Sequence, residues 1–244
     1  MKILALDSSG LVASAAVMED DVLLAEYTVN YKKTHSQTLL PMLDALVSMT
    51  ELDLDSIDGI AVAAGPGSFT GLRIGAATAK GLGLALDKPL ISVPTVDALA
   101  CNLYDTKGLI CPMMDARRQQ VYTGIYTFEN HRLKVLREQT PAAVTEVTGW
   151  LNEYGEEVIF LGDGVPVYRH VIEEEMRVPY SFAPPHMSRQ RAGAVAALGM
   201  IYYREGKTEN ARDHRPEYLR MSQAERERAE KLQAKEKKEE KNGI

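Results

Sequence analysis

The chain has 244 residues, 45% hydrophobic and 25% charged, with a formal net charge of −6. That composition is globular and suits one large domain or two small lobes, and the negative balance argues against a protein that grips nucleic acid across a broad face, because phosphate contacts need a positive surface. No run of about 18 uninterrupted apolar residues occurs, and the opening Met1-Lys2-Ile3-Leu4-Ala5-Leu6-Asp7 reaches a charge too soon for a secretory signal, so a cytoplasmic location is expected. Cys101 and Cys111 lie in apolar stretches without CxxC spacing or neighbouring histidines and read as small buried hydrophobes.

Taken in chain order, Lys2 to Asp7, Val12 to Met18 and Val22 to Val29 are strand-like, with Ser8-Ser9-Gly10 and Glu19-Asp20-Asp21 as turns between them. Leu39, Leu43, Leu46 and Val47 then recur at helical spacing. Pro41 fits only near a first turn, which predicts that the regular helix starts close to Leu40. Ile57 to Ala64 is a buried strand, and Ser68 to Leu86 is a long helix after a Gly-Pro-Gly turn. Pro89 to Val93 and a helix over Val96 to Tyr104 complete the first lobe.

The βββαβα order then repeats. Strands are expected at Leu109 to Met114, Val121 to Phe128 and Leu133 to Arg137, a helix at Val144 to Tyr154, a strand at Val158 to Leu161 and a helix around Val167 to Met176. A further apolar helix, Ala192 to Tyr203, packs back across the join. Two copies imply two similar lobes, residues 1–105 and 106–221, each an α/β unit with a mixed sheet. A plain Rossmann fold is disfavoured because both halves open with a meander. Gln223 to Lys241 is nearly all Glu, Lys, Arg, Gln and Ala, so residues 222–244 are expected to be a solvated helix or a disordered tail.

Several segments carry chemistry or its alternatives. Gly65-Pro66-Gly67-Ser68 before a helix is either an anion cradle with Arg73 nearby or a tight turn whose Ser68 caps the helix; it lacks the Lys of a Walker motif. Gly71, Gly75, Ala79 and Gly83 recur every four residues, and since each helical glycine costs about 1 kcal/mol relative to alanine, the stripe needs a reason, the simplest being close packing against another helix. Asp7-Ser8-Ser9 and Gly162-Asp163-Gly164 are open to weak phosphate or nucleotide binding, with turn chemistry as the alternative. His35-Ser36 reads as a polar helix start, and Arg117, Arg118, Arg212, His214, Arg215 and Arg220 as isolated surface cations or a small basic site.

Gly65-Pro66-Gly67-Ser68-Phe69-Thr70-Gly71-Leu72-Arg73-Ile74-Gly75 resembles the signature of the TsaB (YeaZ) proteins. So do Leu4 to Ser9, His35 to Pro41, Asp115-Ala116-Arg117-Arg118-Gln119-Gln120-Val121-Tyr122 and Pro216-Glu217-Tyr218-Leu219-Arg220. The resemblance implies a two-lobed actin/Hsp70-like fold. It also implies a non-catalytic subunit that pairs with the related transferase TsaD and, with the ATPase TsaE, supports formation of N6-threonylcarbamoyladenosine at adenosine 37, beside the anticodon of tRNAs reading codons that begin with A. Catalytic relatives bind metal through two histidines four residues apart; the equivalent positions here are Thr95 and Leu99, which cannot replace two imidazoles. No cofactor, metal or catalytic group is therefore expected, and missing histidines with no HExxH argue against a metalloprotease. The second-lobe hairpin Asp115-Ala116-Arg117-Arg118-Gln119 contains no glycine, which weakens nucleotide binding.

The partner surface is expected on the two helices, at Leu39, Leu43, Leu46, Gly71, Leu72, Gly75, Ala79 and Gly83, forming half of a helical bundle shared with TsaD or with a second copy in a homodimer. An ATP-binding phosphotransferase or ATPase is the alternative. Because Gln223 to Ile244 carries almost no buriable surface, its removal is expected to shift the thermal midpoint by less than about 2 °C, measured by circular dichroism.

Overall fold

The structure, a computed structural model, describes residues 1–31 and 33–220. The expectation for residues 222–244 therefore lies outside the described residues. Strands β1 (Lys2–Asp7), β2 (Ala13–Glu19) and β3 (Val22–Val29) form an antiparallel meander, followed by α1 (His35–Met49), β4 (Gly59–Gly65), α2 (Phe69–Ala85), β5 (Leu90–Pro94) and α3 (Thr95–Ala100). The second half runs β6 (Leu109–Asp115), β7 (Gln120–Glu129), β8 (Arg132–Ala143), α4 (Val144–Tyr154), β9 (Val158–Leu161), α5 (Gly164–Glu175), β10 (Tyr180–Phe182) and α6 (Ala192–Arg204). Each half builds a five-stranded sheet, in the orders β3-β2-β1-β4-β5 and β8-β7-β6-β9-β10, so the duplicated βββαβα pattern read from the sequence is present twice. Within each sheet the meander pairs antiparallel and the later strands pair parallel.

Alternation along the strands divides each sheet into two faces. On β1, Leu4 and Leu6 face a cluster with Leu39, Leu43 and Leu46 of α1 and Ala79 of α2, whereas Ile3 and Ala5 face Val195, Ala196 and Leu198 of α6. On the second sheet, Leu109, Cys111 and Met113 pack against Val147 and Leu151 of α4 and Ile172 of α5, while Ile110, Met114 and Tyr126 meet Val96, Leu99, Ala100 and Leu103. The last helix of each half thus covers the sheet of the other half. Val96 to Tyr104 does not simply complete the first lobe, as expected from chain order; it contributes the apolar wall between the lobes, and a short 3-10 turn at Cys101–Leu103 ends it.

Two local readings are corrected by the element boundaries. Helix α1 begins at His35 and contains Pro41 rather than starting beside it. Pro41 and Gln37 both lie on the exposed face, so the Gln37 carbonyl that loses its N–H partner is left to water and not to the core. Strand β8 runs to Ala143, six residues past the expected end, because Thr140, Pro141, Ala142 and Ala143 continue to pair with the start of β7.

The small-residue stripe faces inward, which corrects its assignment as an open partner surface. A Cβ on Gly71 would lie 2.1 Å from the Ser8 carbonyl oxygen, one on Gly75 2.5 Å from Ser8 Oγ, and one on Gly83 2.8 Å from Ala211 Cβ. Leu72, Ala79, Leu39, Leu43 and Leu46 are likewise core residues, none more than 6% exposed. The glycines let α2 approach the first turn of the meander and the later chain, not another subunit's helix. Ser8 Oγ donates to the Gly71 carbonyl at 2.8 Å, which fixes that approach, and Ser68 caps the helix by accepting from the Gly71 N–H at 3.3 Å.

Gly81, on the exposed side of the same helix, has open space around it. Gly81→Ala is expected to stabilise the protein by up to about 1 kcal/mol through helix propensity, and Gly71→Ala to destabilise it by about 3 kcal/mol or more, because backbone has to move. Urea unfolding of both variants checks the pair; equal effects would refute the stated orientation of the helix.

Candidate functional site

The two sheets present the ends of their first hairpins toward one another across a cleft. The cleft has a volume of about 390 Å³ and is walled by Ser9 and Gly10 of the first turn, Ser68 and Phe69 at the start of α2, Asp115 and Arg117 of the β6–β7 turn, and Asp163 before α5. Its remaining side is the segment Glu217 to Arg220. That segment reaches both lobes: the Glu217 N–H donates to the Ala64 carbonyl at 2.7 Å, and Arg220 donates to the Ala116 carbonyl at 2.7 Å. The Tyr218 ring lies 4.8 Å from that of Phe69, and the Arg73 guanidinium sits 4.0 Å over Phe69 while donating to Tyr218 Oη.

Asp7 is buried at the first turn. Its Oδ1 accepts from the Ser9 N–H at 2.9 Å and from Ser9 Oγ at 2.6 Å, while Oδ2 has no partner among the described residues. Burial raises its carboxyl to about 6, against the lowering effect of the two Ser9 hydrogen bonds. Ser9, and not Asp7 or Ser8, lines the cleft. His35 reaches the same turn through Nε2, 2.9 Å from the Gly10 carbonyl, so its role is to tie α1 to the turn rather than to act with Ser36.

Gly162 and Gly164, left open above to weak phosphate binding or turn chemistry, serve close packing. Gly162 has φ +110°, and a Cβ there would lie 2.2 Å from the Met113 carbonyl oxygen; at Gly164 the distance is 2.9 Å. Both permit the start of α5 to pack on β6. Gly65 and Gly67 likewise admit the Glu217 and Ser9 carbonyl oxygens, at 2.2 and 2.3 Å from the Cβ positions. Asp163, on the cleft wall, has an Oδ1 without a partner among the described residues, and burial raises its pKa.

The arginines do not form one basic site. Arg117 and Arg220 line the cleft, Arg118 lines a neighbouring groove beside Val167 and Val171, and the Arg212 and His214 carbonyls accept from Lys80 on the outer side of α2. Arg117, Arg118 and Gln119 all have positive φ, 65°, 56° and 58°, a tight turn made without glycine. Asp115, Asp163 and Glu217 line the cleft with Arg117 and Arg220, so its electrostatic character is mixed.

Thr95 and Leu99 have structural partners. Thr95 Oγ1 accepts the Gly65 N–H at 3.1 Å, and Leu99 lies in the wall between the lobes. The cysteines are free thiols that burial pushes up to about 12, which makes them poor nucleophiles. Sequence reading missed a part-buried Ser92, His214 and Glu209 cluster. His214 Nδ1 lies 3.0 Å from Ser92 Oγ and 2.9 Å from Glu209 Oε1, and Nε2 has no partner among the described residues. A serine nucleophile needs its partners on separate ring nitrogens, whereas both share one here, so the cluster anchors residues 208–215 onto β5. No spacing signal announces it, since Ser92 is more than a hundred residues from its partners.

Two like lobes, each covered by the other's last helix and separated by a cleft between paired hairpins, define a two-lobed actin/Hsp70-like α/β protein. Known proteins narrow the class. A family model described as TsaD, tRNA N6-adenosine threonylcarbamoyltransferase, matches residues 22–228. The Bacillus subtilis tRNA threonylcarbamoyladenosine biosynthesis protein TsaB is 33% identical over 225 residues, covering 92% of this chain and 96% of that protein. Its Escherichia coli counterpart is 34% identical over 128 residues, 52% of this chain and 55% of that protein. A crystal structure of YeaZ from Pseudomonas aeruginosa superposes with a TM-score of 0.72 at 25% identity, covering 89% of this chain and 99% of that one. A second Pseudomonas aeruginosa structure, described as similar to the peptidase YeaZ, shares the fold with a TM-score of 0.77 at 24% identity over 90% and 99% of the two chains. The chain belongs to the TsaB (YeaZ) family.

The raised pKa of Asp7 has a pH signature. The folded chain holds this proton up to about pH 6, whereas the unfolded chain releases it near the ordinary 3.8, so the contribution of Asp7 to stability falls as pH rises through that window. Asp7→Asn keeps the acceptor for Ser9 and removes the charge. The variant is expected to match the parent at about pH 4 and to exceed it by about 2–3 kcal/mol at neutral pH, read from urea unfolding at both values.

Proposed function

We propose that the chain is a non-catalytic subunit of the apparatus that forms N6-threonylcarbamoyladenosine beside the anticodon of tRNA, pairing with and activating a TsaD-like transferase. The observation that carries this reading is the likeness to Bacillus subtilis TsaB over 92% of the chain. Support for the non-catalytic role comes from the positions that replace the metal-binding histidines, since Thr95 holds the Gly65 amide and Leu99 packs between the lobes. Recruitment of the ATPase TsaE, adenosine 37 as the target and a competing homodimer belong to the same proposal.

The partner face consists of the outward residues of α1 and α2. Leu40 is 58%, Met49 86% and Leu84 50% exposed, unusual values for large apolar side chains on two adjacent helices, and the inward stripe of Gly71, Gly75, Ala79 and Gly83 sets how these helices lie. The same face serves a TsaD-like subunit or a second copy, so the two assemblies compete. The alternative of ATP binding in the inter-lobe cleft is favoured by Arg117 and Arg220 and opposed by Asp115, Asp163 and Glu217, which line the same space.

Leu40→Glu combined with Leu84→Glu is expected to leave the circular-dichroism melt intact and to abolish co-elution with a TsaD-like transferase in size-exclusion chromatography. A folded double variant that still co-elutes refutes the face. Calorimetric titration of the full chain with ATP and magnesium is expected to show no saturable binding in the absence of the transferase, and tight binding would favour the phosphotransferase reading.

A further inference from the structure

A second cavity, sharing no lining residue with the inter-lobe cleft, opens between α6 and the β7–β8 hairpin with α3 as its inner wall. Its volume is about 760 Å³, within the range of small-molecule sites. Leu198 and Ile201 of α6 and Leu133 and Val135 of β8 supply apolar surface, and Tyr104, Phe128 and Tyr202 supply aromatic rings.

The carboxylate on the inner wall is Asp97, 7% exposed, in the first turn of α3. Tyr126 Oη donates to its Oδ1 at 2.8 Å, the one side-chain hydrogen bond the carboxylate accepts among the described residues. A carboxylate removed from water loses several kcal/mol of solvation unless a cation or several donors compensate. Burial raises Asp97 to about 6, Tyr126 and the residue's own backbone N–H lower it, and the charges that act on it are the carboxylates Glu138 and Glu217, which raise it further. The basic groups at the cavity are mostly committed elsewhere. Arg191 donates to Glu26, Lys207 pairs with Glu205 at 2.8 Å and lies 4.9 Å from the Tyr202 ring, His131 pairs with Asp105 at 2.8 Å, and Arg132 is exposed to solvent. The inner wall therefore carries a negative field without a counterion, beside aromatic faces that attract cations.

We propose that this cavity binds a small organic cation, an ammonium or guanidinium group on an apolar body, with Asp97 as its counterion. The charged head enters toward Asp97 and the body lies along Leu198, Ile201 and Phe128. No residue of α1 or α2 lines this site.

The test uses the full chain at pH 7.5 with phenethylamine as probe and 2-phenylethanol as its uncharged analogue, followed by two-dimensional NMR. The amine is expected to bind at least about tenfold more tightly than the alcohol, with shifts centred on α3, Tyr104 and Tyr202, and Asp97→Asn to abolish the difference. Ala197→Trp, on the exposed side of the cavity wall, keeps Asp97 and fills the space; it is expected to lose binding of both compounds while the melt is retained. The Trp variant therefore decides the question if Asp97→Asn does not fold. Equal affinity for amine and alcohol, unaltered amine binding in either folded variant, shifts confined to the inter-lobe cleft, or no saturable amine binding would each overturn the proposal.

Discussion

Each five-stranded sheet has two apolar faces, and each half of the chain covers only one of them before its last helix departs. The first sheet buries Leu4 and Leu6 under α1 and α2 but depends on α6 to cover Ile3, Ala5 and Ala61. The second buries Cys111 and Phe160 under α4 and α5 but depends on Val96, Leu99, Ala100 and Leu103 to cover Ile110, Met114 and Tyr126. Neither sheet is a finished core alone, because an uncovered apolar face costs about 25 cal/mol per Å² left in water. The exchange couples the lobes through packing, and the two exchanged helices both line the Asp97 cavity.

The final described segment strengthens that coupling with hydrogen bonds. Glu209 pairs with Leu90 in both directions at 2.9 Å, Lys80 holds the Arg212 and His214 carbonyls, and Ala211 enters the core against α2. Beyond it, Glu217 bonds Ala64 in the first lobe and accepts from Gln139 of β8 at 3.1 Å, while Arg220 bonds Ala116 in the second. One extended segment therefore lines the cleft and contacts both lobes.

Glycine placement decides what the first lobe shows to solvent. Gly71 and Gly75 bring α2 within contact of Ser8, and this close approach rotates Leu72, Ala76 and Ala79 into the core while leaving Arg73, Ala77, Gly81 and Leu84 outside. Helix α1 lies beside it with Leu39, Met42, Leu43 and Leu46 inward and Leu40 and Met49 outward. The exposed apolar side chains of Leu40, Met49 and Leu84 are thus a consequence of close packing one layer below them. Asp7 and Asp97, both buried and both raised to about 6, are places where the fold holds a group at an energetic cost in charge solvation.

The sequence by itself determined the elements and their duplication, because alternation of apolar residues and turn chemistry are local properties: β3, α4 and β9 begin and end where the pattern places them. It also determined the family, through motifs spread from Leu4 to Arg220. The recurrence Gly71-Gly75-Ala79-Gly83 was legible as a close approach, but not what it approaches. Only the tertiary structure decided that the neighbour is Ser8 and Ala211 of the same chain, that Gly162 and Gly164 admit the close approach of β6, and that α3 changes lobes as well as α6. The physical reason is that propensity and periodicity act over one or two helical turns. Those contacts instead join Ser8 to Gly71, Gly83 to Ala211, and Asp97 to Tyr126, pairs brought together by the packing of whole layers.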